Sequence, residues 1–367
     1  MNIMELCLSP DLGGLELYVY NSSKNLSEGD NVHAVITSGG KLEKLFNDTN
    51  IPASYLKKGL KIFPLFSAIK LARIIDKYDI DAIHMHWGRD LALAALAKAL
   101  SKKTPRLVYT RHMQITRNKD DLYHRFLYKQ VDVFIAITEV LATLLRSFLS
   151  AADKDKVVLL YHGVKSPKKI LSADEKMQLR EKVGFTNSDF VVALFGRIEE
   201  YKSQHILINA IYKLKQEGHT VKGFIVGHAM DNDYLSYLKS SVKEKRIESD
   251  IVFMDFVENP QELMQACNAV VLTTKEETFG LVLVEAMHAG AAVIGTNSGG
   301  VPEIIDHGKT GFLFDYDNLD SLCNYIIELM DENKRLAFVK AGQKKAKEKF
   351  GVEEHYIKLR KLLEGSF

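Results

Sequence analysis

Short apolar runs alternate with amphipathic segments of helical length along most of this chain, and no other feature constrains its fold as strongly. In the first half the runs are "NIMELCL", "NVHAVIT", "DAIHMHW", "RLVYTRH", "VDVFIAIT" and "KVVLLYHG"; in the second, "FVVALFGR", "VKGFIVG", "DIVFMDFV", "NAVVLTT" and "AAVIGT". A strand that must pair in parallel with the next needs a crossover of a dozen or more residues, and a helix supplies it, so the alternation predicts successive βαβ units and parallel sheets. The pattern stops once. Val164 to Asp189, "VKSPKKILSADEKMQLREKVGFTNSD", is polar and reads as a linker with one helix inside. Two doubly wound α/β halves are expected, a division that 367 residues accommodate at roughly 150 residues per domain.

The charge balance excludes one broad class. With 49 Lys+Arg against 47 Asp+Glu the chain is +2, far from the strongly basic footprint of a nucleic-acid binder, so no nucleic-acid partner is expected. Cys7, Cys267 and Cys323 are far apart and form no CxxC pair, which supports neither a disulfide framework nor a zinc ribbon. The N-terminus lacks the basic start and apolar core of a signal peptide, and no run reaches the roughly 18 to 20 apolar residues of a membrane span. The expectation is a cytoplasmic chain, either soluble or held on the inner face of a membrane.

Open parallel sheets bind ligands beyond the carboxyl ends of their strands, so the residues just after those strands are the first candidates for a site. After the first strand, "DLGGLELY" places Gly13 and Gly14 at the opening of a helix, where backbone can approach an anion. No GxGxxG follows any strand, which removes the main support for a dinucleotide-dependent dehydrogenase. After "VVALF", the turn "GRIEEYK" carries Arg197 and Lys202, two cations suited to a pyrophosphate. It is not a GxxxxGK[ST] phosphate loop.

The stretch "KEETFGLVLVEAMHAGAAVIGTNSGG", Lys275 to Gly300, holds a single carboxylate, Glu285, within an apolar run. A helix starting near Gly280 leaves the backbone N–H groups of Phe279, Gly280 and Leu281 without intrahelical partners. Glu285 then lies about 7.5 Å along the axis, with Glu277 in the loop ahead. Helix-dipole compensation accounts for Glu277 but poorly for Glu285. Two carboxylates flanking an anion site fit a nucleotide sugar, with ribose at Glu285, diphosphate at the helix end and hexose at Glu277.

Residues Glu276 to Phe314, "EETFGLVLVEAMHAGAAVIGTNSGGVPEIIDHGKTGFLF", resemble the C-terminal signature of the retaining family 4 glycosyltransferases of the GT-B fold. "GGLE", "HMHWGRD", "VDVFIAITE", "HGV", "FGRIEEYKSQHILINA" and "DFVENPQELMQACNAVVL" follow that family's order over nearly the whole chain. The resemblance implies two Rossmann-like domains facing across a cleft: an acceptor-binding domain at 1–164, a nucleotide-sugar-binding domain at 165–350, and a terminal helix at about 351–367 crossing back to the first. It implies transfer of a hexosyl group, with anomeric configuration kept, from a UDP- or GDP-linked donor to a glycan or lipid-linked acceptor, in lipopolysaccharide or other cell-surface polysaccharide synthesis. An epimerase, a phosphorylase or a non-catalytic nucleotide-sugar-binding protein on the same scaffold is the alternative.

By the same resemblance Arg197 and Lys202 bind the donor diphosphate with the N–H groups near Phe279 and Gly280. Glu285 holds the ribose, Glu277 the hexose, and backbone near Val257 the base. Gly14 lies under the phosphates, and His112 in "YTRHMQ" lines the reaction centre, with His86 its rival. The chain departs from the family at His162-Gly163, where Asn-Gly is common, and at Ser203, where glycine is common; both bear on donor identity. "DND" at Asp231 and "DYD" at Asp315 imitate a DxD metal motif, but Arg, Lys and a helix end already serve the leaving group, so neither metal nor other cofactor is expected. Lys57 to Lys77 carries six Lys+Arg and one Asp around Ile62, Phe63, Leu65, Phe66 and Ile69. With Lys57, Lys58 and Lys61 at its head, it reads either as a surface for an anionic membrane bearing the acceptor or as an ordinary helix packed on the sheet.

Overall fold

The computed structural model describes residues 1–57, 64–113 and 121–366. The chain forms two compact units, Met1–His162 with Glu353–Phe367, and Gly163–Val352.

In the first unit the strands are β1 (Asn2–Cys7), β2 (Asn31–Thr37), β3 (Ala53–Leu56), β4 (Ala82–Met85), β5 (Arg106–Arg111), β6 (Val133–Ala136) and β7 (Val157–Leu159). They form a parallel sheet in the order β3-β2-β1-β4-β5-β6-β7. Strands covered by helices on both faces bury side chains on both, and β4 and β6 are buried throughout. Leu6, Ile83, Leu107 and Phe134 share the resulting core.

The second unit repeats the plan with β8 (Phe190–Phe195), β9 (Val221–Val226), β10 (Ile251–Met254), β11 (Ala269–Leu272), β12 (Ala292–Thr296) and β13 (Phe312–Phe314), in the order β10-β9-β8-β11-β12-β13. Its core joins Val192, Ile225, Val271 and Ile294. In each sheet the winding reverses once, between β1 and β4 and between β8 and β11, and the loops leaving those strands diverge to open a crevice. The two doubly wound halves are present as expected.

Two details differ from the sequence expectations, and a third segment follows one of the two alternatives open for it. β3 and β13 are absent from the apolar runs because both are short, four and three residues, β3 with a single buried residue. The segment 164–189 is not a free linker. Its helix Ala173–Lys182 is fastened to the second unit by Arg180, whose Nε donates to the Ala266 carbonyl at 2.8 Å and whose Nη1 donates to that of Asn187 at 2.9 Å. The helix Leu65–Lys77 turns Ala68, Leu71, Ala72 and Ile75 inward, whereas Leu65 and Phe66 are exposed. Lys57 is exposed; Lys58, Lys61, Ile62 and Phe63 lie outside the described residues.

The helix Val352–Glu364 belongs, from Glu353 onward, to the first unit. Tyr356, Leu359, Leu362 and Leu363 are buried at helical spacing. Arg106 Nε donates to the Leu362 carbonyl at 2.9 Å, and Arg360 Nε pairs with Asp30 Oδ2 at 2.9 Å.

Candidate active site

The loops leaving β8 and β11 bring three of the expected residues to one switch point. After β8 the chain runs through Gly196 and Arg197 into a 3-10 turn, Glu200–Lys202, then enters the helix Gln204–Gln216. A Cβ on Gly227, at the end of β9, would lie 1.8 Å from the Gly196 carbonyl oxygen, so glycine is required for the two strand ends to close. Gln204 Nε2 donates to the Arg197 carbonyl at 2.8 Å, and Thr273 Oγ1, just past β11, donates to that of Lys202 at 2.8 Å. The backbone is thereby fixed while both cations stay accessible.

Lys202 Nζ pairs with Glu277 Oε2 at 2.6 Å, with side chains 23% and 18% exposed. The sequence reading gave these residues separate ligands; the structure joins them. Arg197 is more open and pairs through Nη2 with Glu199 Oε1 at 2.9 Å. Glu277 is held from behind: its carbonyl accepts from Gly300 N–H at 2.9 Å, and a Cβ on Gly299 would lie 2.0 Å from the same oxygen. Gly299, at φ +57°, permits that approach, and the sequence reading assigned it nothing. Ser203 sits in the left-handed region at φ 54° and ψ 43°, a conformation that glycine adopts without a Cβ clash. Its Oγ contacts Tyr316 Oη at 2.9 Å and the Glu200 carbonyl at 3.3 Å.

The helix predicted near Gly280 is Leu281–Ala289, capped by Gly280. Among the described residues nothing accepts from the N–H of Gly280 or Leu281. Phe279 is buried, its ring edge-on to Phe350 at 5.8 Å. Glu285, one turn into the helix, meets no cation or hydrogen-bond donor among the described residues, and burial raises its carboxyl to about 7. A partly shielded carboxylate and a helix start whose first N–H groups have no acceptor, one turn apart on the same helix, are both groups that a ligand could satisfy. Val257 follows β10, half-buried, with the exposed Phe256 beside it. The acidic pairs have structural duties: Asp231 Oδ1 caps the helix Asn232–Glu244 by accepting from Asp233 and Tyr234 N–H, and Asp315 Oδ1 accepts from Asn297 Nδ2 at 3.2 Å.

In the first unit His112 follows β5 and is buried in a row of polar groups. Glu5 on β1 and His84 on β4 are register partners, so their side chains leave the same face of the sheet, and His86, two residues on, joins them. Glu5 Oε1 contacts Ser22 Oγ at 2.7 Å and His84 Nδ1 at 3.1 Å; Glu5 Oε2 is hydrogen-bonded to His86 Nε2. His86 Nδ1 lies 3.1 Å from His112 Nε2, and His112 Nδ1 3.4 Å from His162 Nε2. The Tyr18 ring packs over this row, 4.9 Å from His112 and 4.6 Å from His162 between centroids, with its hydroxyl 2.8 Å from His355 Nε2. Donor atoms of Glu5, His84 and His86 lie within 4.8 Å of one another, but all are engaged with protein groups.

Glu5, Tyr18 and His355 were missed in the sequence, although Glu5 stands as a lone carboxylate in an apolar strand, the same signal that marked Glu285. At the opening of the helix Gly14–Leu26, Gly13 N–H is taken by Glu16 Oε2 at 2.8 Å, while Gly14 is exposed with open space where a Cβ would lie.

Residues 12–166 match the profile described as Glycosyltransferase Family 4, and residues 175–345 that of Glycosyl transferases group 1. The chain is 26% identical over 339 residues to the N-acetyl-alpha-D-glucosaminyl L-malate synthase of Bacillus anthracis, covering 89% of this chain and 86% of that one. It is 25% identical over 294 residues to the N-acetylgalactosamine-N,N'-diacetylbacillosaminyl-diphospho-undecaprenol 4-alpha-N-acetylgalactosaminyltransferase of Campylobacter jejuni subsp. jejuni serotype O:2, covering 77% and 76%. The crystal structure of Anabaena HepE in complex with UDP-glucose matches with a TM-score of 0.82 at 25% identity over 100% of both chains. Two family profiles in sequence, relatives over most of their length and a shared architecture agree: this chain belongs to the family 4 glycosyltransferases of the GT-B fold.

Proposed function

We propose that the protein is a retaining glycosyltransferase that moves a hexosyl group from a UDP-linked donor to a lipid-linked or glycan acceptor in cell-surface polysaccharide synthesis. The observation that carries the reading is that, among the described residues, the Glu285 carboxylate has no partner and the N–H groups of Gly280 and Leu281, one turn earlier, have no acceptor. Ribose hydroxyls supply the donors that Glu285 lacks, and a diphosphate supplies the acceptors that the helix end lacks. Arg197 and Lys202 add positive charge, Glu277 takes hydroxyls of the hexose, and backbone near Val257 takes the base. The choice of UDP follows the HepE complex, and the lipid-linked acceptor follows the diphospho-undecaprenol relative.

In the reaction the acceptor hydroxyl oxygen bonds to the anomeric carbon on the face from which the diphosphate departs. The bond from that carbon to the phosphate oxygen breaks, its electron pair stays on the diphosphate, and the hydroxyl proton goes to the departing phosphate. Lys202 and Arg197 stabilise the charge that develops there, without a metal ion. Among the described residues no helix is long and apolar enough to cross a membrane. A lipid-linked acceptor would be met at the surface that Lys57 and the 83%-exposed Phe66 present.

The test is transfer from a panel of UDP-sugars to undecaprenyl-diphosphate-linked acceptors, with the anomeric configuration of the product read by NMR. Transfer with retention is expected. Inversion would overturn the mechanism, and UDP release without transfer would overturn the function.

A further inference from the structure

The buried row in the first unit has a carboxylate at one end, and the position of every ring proton along it follows from that. Burial opposes ionisation of Glu5, but the neighbouring His84 and His86, with the hydrogen bonds they make, hold its carboxyl well below the usual range. A carboxylate only accepts, so His86 faces it with an N–H on Nε2. Burial lowers His86 to about 4, so the ring is neutral at pH 7 and its Nδ1 is a lone pair. His112 Nε2, 3.1 Å from that lone pair, therefore carries the hydrogen.

Burial, then His162 and His86, hold His112 well below its ordinary value, so this ring too is neutral and its Nδ1 accepts. The partner of that lone pair is His162 Nε2–H at 3.4 Å, a looser link than the usual 2.7–3.2 Å. Tyr18 adds no competing proton. His355 Nδ1–H donates to the Tyr161 carbonyl at 2.7 Å, so its Nε2 is a lone pair that takes the Tyr18 hydroxyl hydrogen.

We infer that Glu5 is a positioning residue that imposes one proton order on His86, His112 and His162, each protonated on Nε2, so that His112 is fixed as an imidazole that accepts through Nδ1 and cannot donate through it. The kinetic consequence rests on the proposed function: a ring locked this way offers Nδ1 only as an acceptor, to a substrate hydroxyl that takes the place of His162, and cannot act as a proton donor there. Reversing the order would set a ring lone pair against the Glu5 carboxylate, two acceptors in contact with no proton between them.

The experiment uses the full chain with 15N-labelled histidine and long-range proton–nitrogen correlation near neutral pH. Protonation on Nε2 is expected for His86, His112 and His162, and on Nδ1 for His355. His112 protonated on Nδ1, or on both nitrogens, would overturn the inference. In Glu5→Gln an amide replaces the obligate acceptor, so His86 and His112 should lose their single tautomer. The turnover number should fall roughly tenfold to a hundredfold, while UDP affinity by calorimetry stays within about twofold because the nucleotide ligands belong to the other unit. An unchanged tautomer pattern in folded Glu5→Gln would overturn the role of Glu5, as would unchanged turnover. The wild-type spectrum decides the proton order even if the variant does not fold or the wild type transfers no sugar; the latter result would sink the proposed function alone.

Discussion

Lys202 Nζ stands 2.6 Å from Glu277 Oε2, so the cation proposed for the donor diphosphate is already neutralised by the carboxylate proposed for the donor hexose. The two ligands are coupled. Glu277→Gln removes the competitor for Lys202 and should tighten binding of bare UDP, by less than about tenfold since partly exposed pairs are worth roughly a kcal/mol. The same change should reduce turnover of the UDP-sugar by about a hundredfold or more, because the hexose loses its anchor. Calorimetry with UDP and steady-state kinetics separate the effects. Weaker UDP binding in Glu277→Gln would refute the coupling.

Glu285 predicts a conflict between stability and binding. Its carboxyl is raised by burial from an ordinary 4.5 to about 7, so its contribution to stability is complete below pH 4.5 and is lost as pH rises through 7. Glu285→Gln should therefore melt higher than wild type at pH 8, by an equivalent of at most about 3 kcal/mol given its partial exposure, with the advantage fading toward pH 4.5. The same variant should bind UDP more weakly, by roughly 1.5 to 3 kcal/mol. Thermal melts at several pH values with calorimetry check both. A pH-independent difference in melting would show that the charge is not what burial penalises.

Ser203 carries a backbone conformation that glycine adopts freely, offset by its contacts with Tyr316 and Glu200. Ser203→Ala keeps the Cβ and loses the hydrogen bonds, so it should cost about 1 kcal/mol. Ser203→Gly loses the same bonds but relieves the left-handed strain of about 1–2 kcal/mol, and should melt at or above wild type. Thermal denaturation of both variants gives the order; alanine melting above glycine would contradict it.

Transfer should survive chelation. Arg197, Lys202 and the helix end at Gly280 supply the positive charge, while Asp231 caps a helix and Asp315 accepts from the Asn297 side chain. Activity in EDTA should remain within about twofold of the untreated enzyme. Loss that Mg²⁺ or Mn²⁺ restores would reassign those carboxylates.

The two sheets were legible because buried parallel strands are apolar on both faces and stand out from the helices between them. β3 and β13 were not, because strands of four and three residues, β3 with one of them buried, leave little apolar run to read. Glu277, Glu285, Arg197 and Lys202 were named from their place after strands and at a helix start. The Lys202–Glu277 contact was not, since two loops separated by a crossover meet only in three dimensions. The histidine row was half visible: "HMH" places two rings on one face, but Tyr18 and His355 join it from segments 337 residues apart.

The chain leaves the first unit at His162 and returns at Glu353, so one unit is inserted within the other. During synthesis the inserted unit emerges whole and can fold at once. The outer unit cannot finish, because His355 reaches Tyr18, and Leu359, Leu362 and Leu363 their buried positions, only after all of Gly163–Val352 has been translated, on the order of 10–40 s later at usual rates. For that interval the first-made half is the last to mature, and it waits on the ribosome with an apolar surface uncovered.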